Sequence, residues 1–385
     1  MNMKKILIIN TKYREFGGED SNIIEETNFL LKNFKVEYLQ FDNSESLTIK
    51  DVFAFFTNNN LKSNAILKKK ITKFKPDLIY IHNTWFKANL GIFSVIHEFG
   101  LPVLLKIHNF RYSCTSSYLM KNHMNGNNFC SKCGLSNSRK FFNKYYDTSY
   151  LKSFFVIHYG KKYLKLLKDS SIKIAVMTNF QKRYLENLGI ETKKIHIYQN
   201  PISLDHLPTS KYNSDSNYVV YAGRVSDPKG VRNLISSWIN SDNKNLTLKI
   251  VGFGDILDTI KYEFQNHNVE FLGQINISET ISLIKEARAV LTATKMYEGQ
   301  PRLLCEASFM NVPSIFPNFG GMKEFFPEDY KLKFEQYDYE DLTNKLNLLQ
   351  DTELLNNLSY EVKEYLNKTI SQKKLHKKFQ EIIDE

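Results

Sequence analysis

The chain reads as an α/β protein built from two doubly wound parallel sheets, and three observations predict this. Short β-branched and aromatic runs alternate with helical segments almost throughout. The runs are continuously apolar, as strands covered on both faces are. A break marked by Asn200-Pro201-Ile202-Ser203 and the polar stretch 208–217 divides the alternation into halves of similar length. With 385 residues the chain has room for two or three domains, each with a sizeable core.

In the first half, strands are expected over 5–10, 35–41, 77–83, 102–109, 173–178 and 194–199, with helices over 21–31, 61–74, 88–99 and 181–188. In the second half, strands are expected over 218–222, 246–251, 269–273, 289–294 and 312–316. Helices are expected there over 231–239, 256–264, 279–287 and 302–310. The domains are then 1–200 and 201–369, and the last helix, about 370–385, is expected to pack back on the first. Ligands of such sheets bind at the carboxyl ends of strands, so two facing domains are expected to make a cleft.

Composition bounds the function. Hydrophobic residues make up 42% and charged residues 24%, ordinary for a globular chain. No apolar run reaches the ~18 residues of a membrane span, and MNMKKILIIN reads as a first strand, not a signal peptide. A cytoplasmic protein is expected, with four reduced cysteines. The net charge of +11 asks for an acidic partner, but the cations are spread along the chain, which favours a phosphate ligand or a surface over a nucleic-acid arm.

The stretch richest in chemistry is 292–310, TATKMYEGQPRLLCEASFM. An apolar strand, a loop containing Gly299, then Pro301 and a helix-forming segment make a strand, tight loop and helix N-terminus, the arrangement that offers backbone N–H groups to an anion. Glu298 and Glu306 bracket it with seven residues between them. The pair suits the hydroxyls of a ligand whose phosphates sit on those N–H groups; on spacing alone, a helix-capping Glu298 and a solvated Glu306 fit as well.

The second half opens with a strand and then Gly223-Arg224-Val225-Ser226-Asp227-Pro228-Lys229-Gly230. Arg224 suits a phosphate as a bidentate fork and Lys229 as a point charge; a surface turn with two solvated cations is the alternative. After the next strand, Gly252-Phe253-Gly254 is a Gly-rich turn lacking the third glycine of a dinucleotide fingerprint. After the first strand, Gly17-Gly18-Glu19-Asp20 reads as an anion cradle or as a helix start with acids in its first turn.

Together the E-x7-E element, the GR…KG loop before it and the N-terminal GG loop resemble the retaining GT-B glycosyltransferases of family four, over nearly the whole chain. The resemblance implies two Rossmann-like domains, the first for the acceptor and the second for a sugar nucleotide, with a UDP-linked donor expected ahead of a GDP-linked one. It implies that Arg224 and Lys229 hold the donor diphosphate, Glu306 the ribose, and Glu298 the donor sugar. Gly17, Gly18, Gly252, Gly299, Gln300, Pro301 and Arg302 would line the donor. His108 in Lys106-Ile107-His108-Asn109 matches the family's active-site histidine, although Asn109 stands where the family often has Asp; read without the family, a histidine at a strand end is more often structural. No Asp-x-Asp is present, so the two cations would take the place of a metal on the diphosphate, and catalysis is expected to need no cofactor. No residue reads as a covalent nucleophile, which points to front-face displacement.

A subgroup of this family, seen with surface-polysaccharide genes, is similar in its GGED opening, its His82-Asn83 pair, its HNFR sequence from His108 and its spaced cysteines. Cys114, His123, Cys130 and Cys133 lie within twenty residues. Reduced thiols packing an acceptor loop are favoured there, with a structural zinc knuckle as the rival. Aromatics and lysines interleave over 139–168; a helix with aromatics in the core is favoured over a face lying on anionic lipid. The expected protein is a cytoplasmic glycosyltransferase, peripheral on the inner membrane face in the lipid reading, acting on a saccharide or lipid-linked saccharide acceptor of bacterial surface polysaccharide. Its rivals are a sugar-nucleotide epimerase or hydrolase on the same scaffold, and a nucleic-acid-binding protein, which the E-x7-E context argues against.

Overall fold

The computed structural model of this protein describes residues 3–13, 18–44, 48–110, 112, 149–205, 207–208 and 211–385. The chain forms two compact units, Met1–Pro201 with Gln372–Glu385, and Ile202–Ser371. Each carries one six-stranded sheet, and every strand pair is parallel.

In unit 1 the strands are β1 (Lys5–Lys12), β2 (Lys35–Asp42), β3 (Leu78–Asn83), β4 (Val103–Lys106), β5 (Ile172–Val176) and β6 (Ile195–Ile197). They lie in the order β2-β1-β3-β4-β5-β6. Ile6 to Ile9 and all of β3 are buried, which is why these strands read as unbroken apolar runs. The helices are α1 (Gly18–Leu31), α2 (Ile49–Thr57), α3 (Leu61–Phe74), α4 (Ile92–Glu98), α5 (Tyr150–Leu167) and α6 (Asn179–Asn187). Helix α2 was not expected from the sequence. A reciprocal cap starts it: Asp51 N–H donates to Thr48 Oγ1 at 3.2 Å, and Thr48 N–H donates to Asp51 Oδ2 at 2.9 Å. Helix α3 starts at an Asn60 cap and buries Leu67, Ile71 and Phe74 on one stripe.

Unit 2 contains β7 (Tyr218–Ala222), β8 (Thr247–Val251), β9 (Val269–Gly273), β10 (Val290–Leu291), β11 (Ser314–Pro317) and β12 (Lys333–Phe334), ordered β12-β11-β10-β7-β8-β9. Its helices are α7 (Val231–Asn240), α8 (Leu257–Glu263), α9 (Ile277–Lys285), α10 (Arg302–Phe309), α11 (Tyr339–Asn347) and α12 (Thr352–Thr369). The strand expected over 289–294 narrows to Val290–Leu291; Thr292 N–H still donates to Ile315 O at 2.9 Å, and the backbone then runs on into the site loop. The last helix, α13 (Gln372–Asp384), belongs to unit 1. It buries Leu375, Phe379 and Ile382, and Phe379 packs on Phe34, Tyr80 and Tyr198 at 5.4–5.5 Å between ring centroids. Each such buried apolar side chain stabilises the docking by about 1.5–3 kcal/mol. Among the described residues no helix is long and apolar enough to cross a membrane.

Candidate active site

In unit 2 the site is a joint between three loops at strand carboxyl ends. β10 and β8 flank β7, so the loops after these three strands emerge side by side. Their backbones touch. A Cβ on Gly252 would stand 1.9 Å from Gly223 O, and one on Gly254 would stand 1.9 Å from Val225 O. Val225 N–H donates to Phe253 O at 2.9 Å and Gly223 N–H to Val251 O at 3.0 Å. Gly252 and Gly254 thus have a structural reason to be glycine: they let one loop lie against another.

Gly230 does the same on the other side. Its φ is +67°, and a Cβ there would stand 1.9 Å from Ala293 O. Lys295 N–H donates to Pro228 O at 2.9 Å, and Lys295 Nζ pairs with Asp227 at 3.0 Å. The GR…KG loop is therefore stapled to the strand end that leads into the E-x7-E element.

This joint brings the sequence-predicted residues together. Lys229 Nζ lies 2.5 Å from Glu298 Oε1, both half-buried. Arg224 is exposed and makes no ion pair with a described carboxylate. Beneath them the Tyr221 hydroxyl donates to Arg224 O at 2.7 Å. Burial first, then the Glu298 carboxylate, push that phenol well up, while Arg224 acts against them, so both charges lie near one hydroxyl. Gly299, Gln300 and Pro301 are buried and lead into α10, whose N-terminus no side chain caps. Arg302 Nε donates to Glu306 Oε1 at 2.7 Å across one helical turn. Glu306 is buried rather than solvated, and Glu298 pairs with Lys229 rather than capping α10. Both structural alternatives raised by spacing alone are set aside.

In unit 1, β3 and β4 are parallel neighbours, and each is followed closely by an Asn: His82-Asn83 ends β3, and His108-Asn109 lies just beyond β4. His82 Nδ1 and His108 Nε2 are 2.9 Å apart. Burial, then the Lys106 ammonium, lower the pKa of His108 to about 3, and His82 falls well below the ordinary histidine value through burial, His108 and Lys106. Under the pair, fully buried Lys106 meets fully buried Glu26 at 2.9 Å. Glu26 also accepts from the Tyr80 hydroxyl at 2.5 Å, and Lys106 lies 4.4 Å over the Tyr198 ring. Sequence reasoning found His108 but missed this network; the repeated His-Asn, once at the end of β3 and once just past β4, was the available signal.

Gly18 heads α1, with Glu19 and Asp20 in its first turn, and Glu19 accepts from the Tyr13 hydroxyl at 3.2 Å and from Asn109 Nδ2 at 3.4 Å. Gly17, and the candidate metal ligands Cys114, His123, Cys130 and Cys133, lie outside the described residues. Among the described residues no group of three or more His, Cys, Asp or Glu side chains is placed to hold a metal ion.

Two parallel six-stranded units, with loops joined at strand carboxyl ends, define a GT-B α/β protein. Residues 206–365, within the second unit, match the family described as Glycosyl transferases group 1. The amylovoran biosynthesis glycosyltransferase AmsD of Erwinia amylovora is 28% identical over 192 residues, 48% of this chain and 54% of AmsD. The chain thus spans about half the length of the curated relative it matches. Among solved structures, HepE of Anabaena in complex with UDP and glucose superposes with a TM-score of 0.67 at 15% identity, over 99% of both chains. Sucrose-phosphate synthase of Thermosynechococcus elongatus gives 0.74 at 14% identity, over 98% of both. At these identities the two structures speak for the fold.

Proposed function

We propose that the protein is a glycosyltransferase that moves a sugar from a nucleoside-diphosphate donor to a saccharide acceptor, with UDP the expected nucleotide ahead of GDP. The observation that carries this is the joint in unit 2. Arg224, Lys229 and the α10 N-terminus gather positive charge, and Glu298 and Glu306 stand beside it as hydrogen-bond acceptors for hydroxyls. Cleaving a glycosyl–phosphate bond develops negative charge on the leaving diphosphate, and preorganised cations and N–H groups stabilise that charge best. Lys229 is engaged by Glu298; a bound diphosphate would draw the ammonium over and leave Glu298 for the sugar. Retention of configuration, with the leaving phosphate taking the acceptor proton, is the proposed course. The two cations would serve the diphosphate without a metal. The UDP held by HepE supports the donor class.

AmsD is named for amylovoran biosynthesis; a surface polysaccharide as the product, and a lipid-linked intermediate as acceptor on unit 1, are part of the proposal. A membrane-peripheral setting is supported by one face of unit 1, and a cytoplasmic location is part of the proposal. Val52, Phe53 and Phe56 of α2 are exposed, as are Leu151 and Phe154 of α5, and the two helices meet at Phe56 and Phe155, 5.2 Å between centroids. Lys161 and Lys165 are exposed further along α5.

A thermal-shift screen of UDP- and GDP-sugars tests the donor reading. One nucleotide class should stabilise the wild type and fail to stabilise Arg224→Ala and Glu306→Ala. Equal stabilisation of all three proteins would overturn it.

A further inference from the structure

His82 and His108 share one hydrogen bond, Nδ1 to Nε2 at 2.9 Å, and a neutral pair can form it in two ways. If His82 donates from Nδ1, its Nε2 is a bare lone pair and His108 carries its own proton on Nδ1. If His108 donates from Nε2, His82 must carry its proton on Nε2. The environment of His82 decides between them. That side chain is 4% exposed, and its Nε2 is buried with no hydrogen-bond partner among the described residues. An orphaned buried N–H is costlier and rarer than an under-used buried lone pair. The proton therefore belongs on His82 Nδ1, and the one on His108 belongs on Nδ1.

The surroundings oppose a third state, one imidazolium. Lys106 is the charged group acting on both rings. Its partner Glu26 is occupied by Lys106 at 2.9 Å and by the Tyr80 hydroxyl at 2.5 Å. Tyr80 packs on His82 at 4.4 Å between centroids, Tyr198 lies under Lys106, and the nearby Glu19 accepts from Asn109. The charges around the pair thus include a cation held in place and a carboxylate whose two oxygens are taken by Lys106 and the Tyr80 hydroxyl.

We propose that His82 is a positioning residue that locks His108 in its Nδ1–H tautomer, so that His108 meets a ligand oxygen as a hydrogen-bond donor and not as a base. The chemical class of that ligand is a sugar hydroxyl or phosphate oxygen, and this part rests on the glycosyltransferase reading. The buried Glu26–Lys106 pair, its partners 80 residues apart in sequence, supports the arrangement from below.

The test is a long-range ¹H–¹⁵N correlation spectrum of the full chain labelled in its nine histidines, recorded without ligand, with the two signals assigned through His82→Phe and His108→Phe. Both rings are expected as Nδ1–H tautomers, unchanged between pH 5 and pH 8. An Nε2–H signal from His108, or either ring titrating near the ordinary histidine value, would overturn the proposal. Variants separate positioning from simple support. His82→Asn keeps an N–H donor near the place of Nδ1 and should keep the His108 tautomer. His82→Phe should leave His108 as a mixture of tautomers and lower kcat about tenfold or more, with a smaller effect on KM. A His108 tautomer unmoved by His82→Phe would overturn the proposal; if that variant does not fold, the wild-type spectrum decides alone. Because the spectrum is taken without a nucleotide, it can fail while the donor screen succeeds, or the reverse.

Discussion

Replacing Lys106 with Met should destabilise unit 1 by about 3–5 kcal/mol, the usual cost of leaving one member of a buried ion pair without its partner. Neither side chain of the Glu26–Lys106 pair touches solvent, so no water replaces the lost ammonium. Glu26 would keep only the bond from the Tyr80 hydroxyl, and the contact of Lys106 with the Tyr198 ring would also go. Adding Glu26→Gln to Lys106→Met removes the stranded charge while keeping an acceptor for Tyr80. The double variant should recover at least ~2 kcal/mol, because removing both charges of a buried pair is often close to neutral. The two tryptophans report separate units, Trp85 in unit 1 and Trp238 in unit 2. Urea unfolding followed by Trp85 fluorescence in a Trp238→Phe background therefore reads unit 1 without assuming that the whole chain unfolds in one step. A loss under ~1 kcal/mol for Lys106→Met, or a double variant no better than the single, would refute the view that this pair is buried and tightly coupled.

Three further outcomes are expected. Because the folded pKa values of His82 and His108 lie below the unfolded value, the unfolded chain binds more protons at mildly acid pH. Their contribution is then present above the unfolded histidine pKa and is lost as pH falls below about 6.5, for His108 down towards about 3, by up to ~1.4 kcal/mol per pH unit for each ring. Unit 1 stability measured between pH 7 and pH 5 should show this slope, and His108→Phe should flatten it; an unchanged slope would contradict the assignment. Gly230→Ala places a Cβ 1.9 Å from Ala293 O at a positive φ, so unit 2 should lose roughly 1–2 kcal/mol or more and its donor affinity should fall, and a variant matching wild type in both would mean that the two loops are not held together. Metal analysis of protein purified without chelator should give under a tenth of an equivalent of zinc, in keeping with reduced thiols at Cys114, Cys130 and Cys133; a full equivalent would make these residues and His123 a zinc knuckle.

The fold was legible because a parallel sheet covered on both faces leaves the plainest trace a sequence can carry: Ile6 to Ile9 and Leu78 to Asn83 are apolar or inward-facing at nearly every position. What escaped was small or locally ambiguous. β12 is two residues at a sheet edge, too short for any period. Helix α2 carries Val52, Phe53, Phe55 and Phe56, a run that suits a strand as well as a helix until the Thr48–Asp51 cap is noticed. At the candidate site, the loop chemistry of Arg224, Lys229, Glu298 and Glu306 could be read because each sits in a recognisable strand–loop–helix context. That Lys229 pairs with Glu298 follows from β10 lying beside β7 in the sheet, an order that the chain does not spell out. The Glu26–Lys106 and His82–His108 pairs were further out of reach, since each joins side chains that only the parallel crossover brings together.

The most direct test of the account is release of nucleoside diphosphate from a UDP-sugar, measured with and without a saccharide acceptor. Release should depend on the acceptor, should yield a glycosylated product of unchanged anomeric configuration, and should fall at least about tenfold in Glu298→Gln. Donor breakdown at the same rate without acceptor, or release indifferent to Glu298, would contradict the account.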